Sequence, residues 1–90
     1  MDERRFQVGD IVRHFKRETV ENATDEYLYM IVGVAKHSET GEDMMVYSPL
    51  YGDGGLFVRP LAMFMSEVDH DKYPQIRQKY RFELVERAEA

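Results

Sequence analysis

MMVYSPLYGDGGLFVRPLAMFM, residues 44–65, decides the fold, because an apolar run enters a glycine-rich turn and leaves it as a second apolar run that stops at a proline. The segments 44–50 and 56–59 read as strands. Between them lies Tyr51-Gly52-Asp53-Gly54-Gly55, where glycine admits positive φ and the Asp side chain can bond the turn backbone. Pro60 suits the first position of a helical turn over 60–64, where its missing N–H costs nothing, and places Leu61 and Phe64 on one side. A β-hairpin with a helical corner follows.

Upstream, YLYMIVGVA at 27–35 is β-branched, aromatic and apolar on both faces, the pattern of a central strand covered on each side. Gly33 marks a bulge or a close backbone contact, and the polar turn 36–43 brings the strand back antiparallel to the one that begins at Met44. Nearer the N-terminus, Val8-Gly9-Asp10 forms a turn into a strand in which Ile11 and Phe15 mark the core face. The polar stretch 17–26 reads as a loop, and its Asn22-Ala23-Thr24 sequon as a chance match. Downstream, 66–71 is polar strand or coil, 72–79 carries Pro74 and mixed charges, and YRFELV at 80–85 alternates with Tyr80, Phe82 and Leu84 on one face. Five short strands and one helical corner make a mainly β chain, a small SH3-like twisted barrel or roll; the alternative is an α+β roll with a helix over 73–79. One domain over 6–85 with flexible termini, 1–5 and 86–90, is expected.

Composition narrows function by exclusion. The 90 residues are 43% hydrophobic and 12% aromatic, enough for one modest core. Without cysteine there are no disulfides, thiolate metal sites or cysteine nucleophiles, which fits a reducing cytoplasm. No signal-peptide pattern and no long apolar run are present, so no membrane partner is expected. A net charge of -5 disfavours nucleic acid as a partner, because phosphate-backbone binding needs clustered Lys and Arg. Between Lys36 and Arg59 there is no cation, which leaves Arg59 the one fixed positive charge of the central hairpin.

No catalytic motif occurs. Asp53 and Arg59 stand six apart and suit either an ion pair or an anion fork, the plainer reading being a turn cap and a loop anchor. His14, His37 and His70 lack metal-ligand spacing, so no metal or other cofactor is expected; His37 fits better as a donor to a carboxylate or carbonyl that fixes the turn at 38–42. Ser38 beside His37 cannot act as a nucleophile–base pair, since neighbours on a strand point to opposite faces. Tyr27, Tyr29, Tyr47, Tyr51, Phe57 and Phe64 are mostly core, Phe57 and Phe64 above all, and Met30, Met44, Met45, Met63 and Met65 read as core filler.

The strings His37-Ser38-Glu39-Thr40, Val46-Tyr47, the run from Leu50 through Leu61 and Met63-Phe64, with Arg13-His14-Phe15 and Tyr80-Arg81-Phe82-Glu83-Leu84, resemble a small bacterial domain family of unknown function. Phe57 stands where that family more often has Trp, and the loop at 17–26 is longer. The resemblance implies one mostly β domain and carries no activity. The expectation is a noncatalytic binding or adaptor module for an unknown ligand or protein partner, with candidate ligand-binding residues His37, Glu39, Tyr47, Tyr51, Asp53 and Arg59. The rivals are an RNA-binding module using Arg13, His14, Lys16 and Arg81, and a small metal-dependent or hydrolytic enzyme. An open roll also leaves an edge strand through which a homodimer could form.

Overall fold

A computed structural model describes residues 5–20 and 24–88. Five antiparallel strands form one open sheet: β1 (Ile11–His14), β2 (Leu28–Lys36), β3 (Asp43–Pro49), β4 (Phe57–Pro60) and β5 (Phe82–Glu86), in the spatial order β4-β3-β2-β1-β5. A 3-10 helix, Phe15–Thr19, follows β1, and the single-turn helix α1 (Leu61–Phe64) follows β4. The chain is thus a small, mainly β roll.

Local chemistry explains the hairpins. The β2–β3 turn closes where the His37 N–H donates to the Glu42 carbonyl (2.8 Å) and the Gly41 N–H to the His37 carbonyl (2.9 Å). In the β3–β4 loop, Gly52, Gly54 and Gly55 all take positive φ, a conformation that costs side chains other than Gly dearly. Ser48 Oγ then donates to the Gly55 carbonyl at 2.7 Å, and Met45 pairs with Arg59. Pairing of β2 with β3 skips from Ile31↔Tyr47 to Gly33↔Val46, so Val32 is the extra residue of a bulge beside the expected glycine.

Two apolar clusters hold the chain. The larger comprises Val12, Tyr29, Ile31, Met45, Tyr47, Phe64 and Phe82. Phe64 on α1, just beyond edge strand β4, stacks on Phe82 of the other edge strand, with ring centroids 3.9 Å apart and planes 8° from parallel. That stack draws the two sheet edges toward each other and curls the sheet round its core. The smaller cluster joins Phe15 to Val68 and Ile76, with Tyr73 packed against them. It lies under the non-repetitive segment between α1 and β5, which is laced to itself by Val68 N–H to Lys79 carbonyl (2.8 Å) and Arg81 N–H to Ser66 carbonyl (3.0 Å).

Several expectations change in the fold. On β1 the core face is Val12 and His14, while Phe15 is buried from the 3-10 helix, where the strand alternation no longer applies. Strand β2 is covered on one face, leaving Met30 38% and Val32 37% exposed on the other. Phe57 is 43% exposed, although its ring meets Tyr47 edgewise and Tyr29 at a tilt, whereas Phe64 is fully buried. Of the methionines, Met45 is core, and Met30 and Met63 are exposed. Residues 73–79 form turns and coil, so the α+β alternative does not hold. Arg17 is part of the 3-10 helix, and of the sequon only Thr24 is among the described residues. At the C-terminal end β5 reaches Glu86, and buried Asp10 takes Arg87 Nη1 and the Ala88 N–H, each at 2.7 Å.

Candidate functional site

At the open side of the roll, His14, Phe15, Lys16, Arg59, Asp69, Lys72, Tyr73 and Arg81 line a recess of about 250 Å³. Four parts of the fold supply them: the end of β1 with the 3-10 helix, strand β4, the coil before β5, and the residue that leads into β5. Each cation has a local reason to be there. Arg59 sits opposite Met45 in the β3–β4 ladder and lays its guanidinium over the Phe82 ring, 5.5 Å from the centroid. The Arg81 side chain is steered by its Nε–H donating to Ser66 Oγ at 2.9 Å. Lys72 Nζ lies 5.5 Å from the Tyr73 ring centre, and Tyr73 leans on Phe15 with centroids 5.0 Å apart.

His14 is the floor of the recess. It is buried against Phe15 (4.3 Å between centroids), Phe82 (4.9 Å) and Tyr27 (5.8 Å). Its Nδ1 accepts the Lys16 N–H at 3.1 Å, which caps the 3-10 helix and leaves the proton of the neutral ring on Nε2. Burial, reinforced by the positive charges of Arg59, Lys16 and Arg81, lowers its pKa from 6.5 to about 4. At neutral pH His14 is therefore an uncharged N–H donor. Tyr27, stacked on it, has φ +64, an uncommon conformation for a bulky side chain, and its carbonyl accepts the His14 N–H at 2.9 Å.

Charge in the recess is only partly compensated. Asp69 is its single carboxylate, and Asp69 Oδ1 already accepts the N–H groups of Asp71 (3.1 Å) and Lys72 (3.3 Å). The ion pairs among the described residues are Arg13–Glu83, Lys36–Asp43 and Arg87–Asp10, and none engages Lys16, Arg59, Lys72 or Arg81. A larger recess of about 450 Å³ is also rich in arginine, but two of its three guanidinium groups, those of Arg13 and Arg17, are engaged within the protein. There Arg13 bonds Gln78 Oε1 (3.1 Å) and Glu83, Arg17 bonds the carbonyls of Thr24 and Glu26, and Glu18 forms part of the wall.

The six residues singled out on the central hairpin do not converge. His37 and Glu39 lie in the β2–β3 turn, at one end of β3, where His37 Nδ1 accepts the N–H groups of Glu39 (3.1 Å) and Thr40 (3.3 Å). Thus His37 does fix its turn, as an acceptor. Tyr51 and Asp53 lie in the loop at the opposite end of β3. The Tyr51 hydroxyl is 2.7 Å from that of buried Tyr29, whose pKa rises through burial and this contact, and Tyr47 is core. Asp53 is exposed and makes no ion pair with Arg59 among the described residues. Arg59 alone of the six reaches the recess, where it meets His14, Lys16 and Arg81, three of the four residues named for RNA binding. Lys72, Tyr73 and Asp69 were missed, because they lie in a stretch without periodicity. Among the described residues no group of three or more His, Asp or Glu is placed to hold a metal ion. No helix among them is long and apolar enough to cross a membrane.

A family model described as a protein of unknown function (DUF1653) matches residues 10–84, from the turn before β1 into β5, and the chain belongs to that family. No curated protein and no solved structure matches it.

Proposed function

We propose that this domain is a noncatalytic binding module whose ligand presents an anionic group to the recess of His14, Lys16, Arg59, Lys72 and Arg81. One observation carries the reading: in a chain of net charge -5, four cations from separate segments surround one already engaged carboxylate. Like charges gathered in this way repel one another and, added to burial, hold a histidine neutral that would otherwise titrate near neutrality. An anion relieves that repulsion, and two guanidinium forks give it directional donors. Catalysis has less support, because the one imidazole in the recess spends its Nδ1 on the Lys16 N–H and has no nucleophile beside it.

Thermal denaturation with sulfate as the probe tests this. At a hundred times its dissociation constant a ligand adds roughly 2.7 kcal/mol, which moves the midpoint of so small a domain by on the order of 10 °C. The shift should vanish in Arg59→Ala and shrink in Lys72→Ala, whose side chain is exposed and outside the core. An undiminished shift in both variants would move the anion elsewhere on the surface.

A further inference from the structure

We infer that the group received by this recess is a phosphate monoester in its dianionic form; the inference rests on the anion-binding reading above and names the ligand class. The donor set argues for it. Arg59 and Arg81 offer guanidinium N–H groups, Lys16 and Lys72 offer ammonium groups, and His14 offers Nε2–H. His14 Nε2 has no hydrogen-bond partner among the described residues, and no buried side-chain nitrogen or oxygen among them lacks one, so Nε2 reaches solvent at the recess. Five donor side chains thus line a site whose acceptor side chains, among the described residues, are the Asp69 carboxylate, bonded through Oδ1, and the Tyr73 hydroxyl.

A carboxylate or phosphodiester brings one negative charge to four cations and leaves most of the repulsion in place. A monoester brings two charges at neutral pH and three terminal oxygens that can share the donors. Size agrees. The recess measures about 250 Å³ and half-buried Tyr73 forms part of its wall, so an ester substituent can lie against that ring.

The second ionisation of a phosphate monoester falls near pH 6, above the range in which His14 titrates. The groups facing the ligand are His14, Lys16, Arg59, Asp69, Lys72, Tyr73 and Arg81. Of these His14 is held near 4, so it stays neutral from pH 5 upward in the free protein. Sulfate, a dianion across the whole range, reports any contribution from the recess itself.

Isothermal titration of the whole chain with phenyl phosphate, methyl phenyl phosphate and sulfate, at pH 5 and pH 8, provides the test. Phenyl phosphate should bind about tenfold tighter at pH 8 than at pH 5, following its dianion fraction, and at least about tenfold tighter than the diester at pH 8. Sulfate should change little between the two pH values. Lys72→Ala, which leaves the core intact, should weaken phenyl phosphate more than the diester. Equal affinity for monoester and diester, or a monoester affinity flat with pH, overturns the dianion inference while leaving an anion site standing. Silence from all three anions removes both.

Discussion

The sheet and the coil that precedes β5 are held together by different forces. In the sheet, apolar side chains brought into register by two tight hairpins do the work, and the Phe64–Phe82 stack ties its edges. In the coil, polar side chains take over where backbone ladders are missing. Gln78 is buried, and its Nε2 donates to the carbonyls of Tyr80 (2.8 Å), Arg13 (3.2 Å) and Arg81 (3.3 Å) while Oε1 accepts from Arg13 Nε. Glu18, from the 3-10 helix, accepts the N–H groups of Arg77 (2.9 Å) and Gln78 (2.7 Å). The lesson is that a segment without periodicity can be as specified as a strand, provided a few side chains satisfy its backbone. The cationic recess lies on the seam between the two regions, with Arg59 from one and Lys72 and Arg81 from the other.

Replacing the apolar tie should have the largest effect and should not discriminate between the regions. Phe64→Ala is expected to cost about 4 kcal/mol, and denaturant unfolding followed by two probes should show a single, earlier transition. Removing the polar tie should separate them. Gln78→Ala removes one donor from the carbonyls of Tyr80, Arg13 and Arg81, at a cost of about 2 kcal/mol. Hydrogen exchange should then quicken over residues 66–81 while β2 and β3 amides stay protected. Uniform quickening would merge the two regions into one cooperative unit and erase the distinction drawn here.

Acid probes the seam. His14 has a depressed folded-state pKa of about 4 against 6.5 unfolded, so the unfolded chain binds the proton first. Its contribution is intact above pH 6.5, is lost progressively as pH falls to about 4, and then levels, for a loss on the order of 2 kcal/mol. His14→Asn, whose side-chain oxygen can still cap Lys16, should be less sensitive to pH over that window by this amount. Because burial is the larger cause and Arg59 the next, Arg59→Ala should raise the His14 pKa yet leave it below 6.5, as an NMR titration would show. A value restored fully to 6.5 would mean that charge, and not burial, dominates. Asp53→Ala, on the exposed loop of the sheet region, should stay within about 0.5 kcal/mol in the same unfolding measurement.

Those differences mirror what could be read in advance. The hairpins, the bulge at Gly33, the helical corner after Pro60 and the inward Phe64 were legible, because strand alternation and turn chemistry act between near neighbours. The inward His14 was not, since one strand of four residues offers too short a pattern to tell Ile11 from Val12 as the core side. Arg59 carried a signal, its isolation in a long stretch without cations, but nothing local said that it points at Phe82 and not at Asp53.

Local order in the amino-acid string therefore accounts for the strands, turns and mainly β class, because those depend on φ preferences and on apolar spacing over a few residues. The one-sided cover of β2, the ordering of the coil before β5 and the recess came from folding alone. Glu18 and Gln78 are joined across 60 residues, and Gln78 and Arg13 across 65. Four cations scattered from Lys16 to Arg81 become one electrostatic site when the Phe64–Phe82 stack brings the sheet edges together. Coulomb interaction depends on distance in space, and no spacing along the chain encodes that distance.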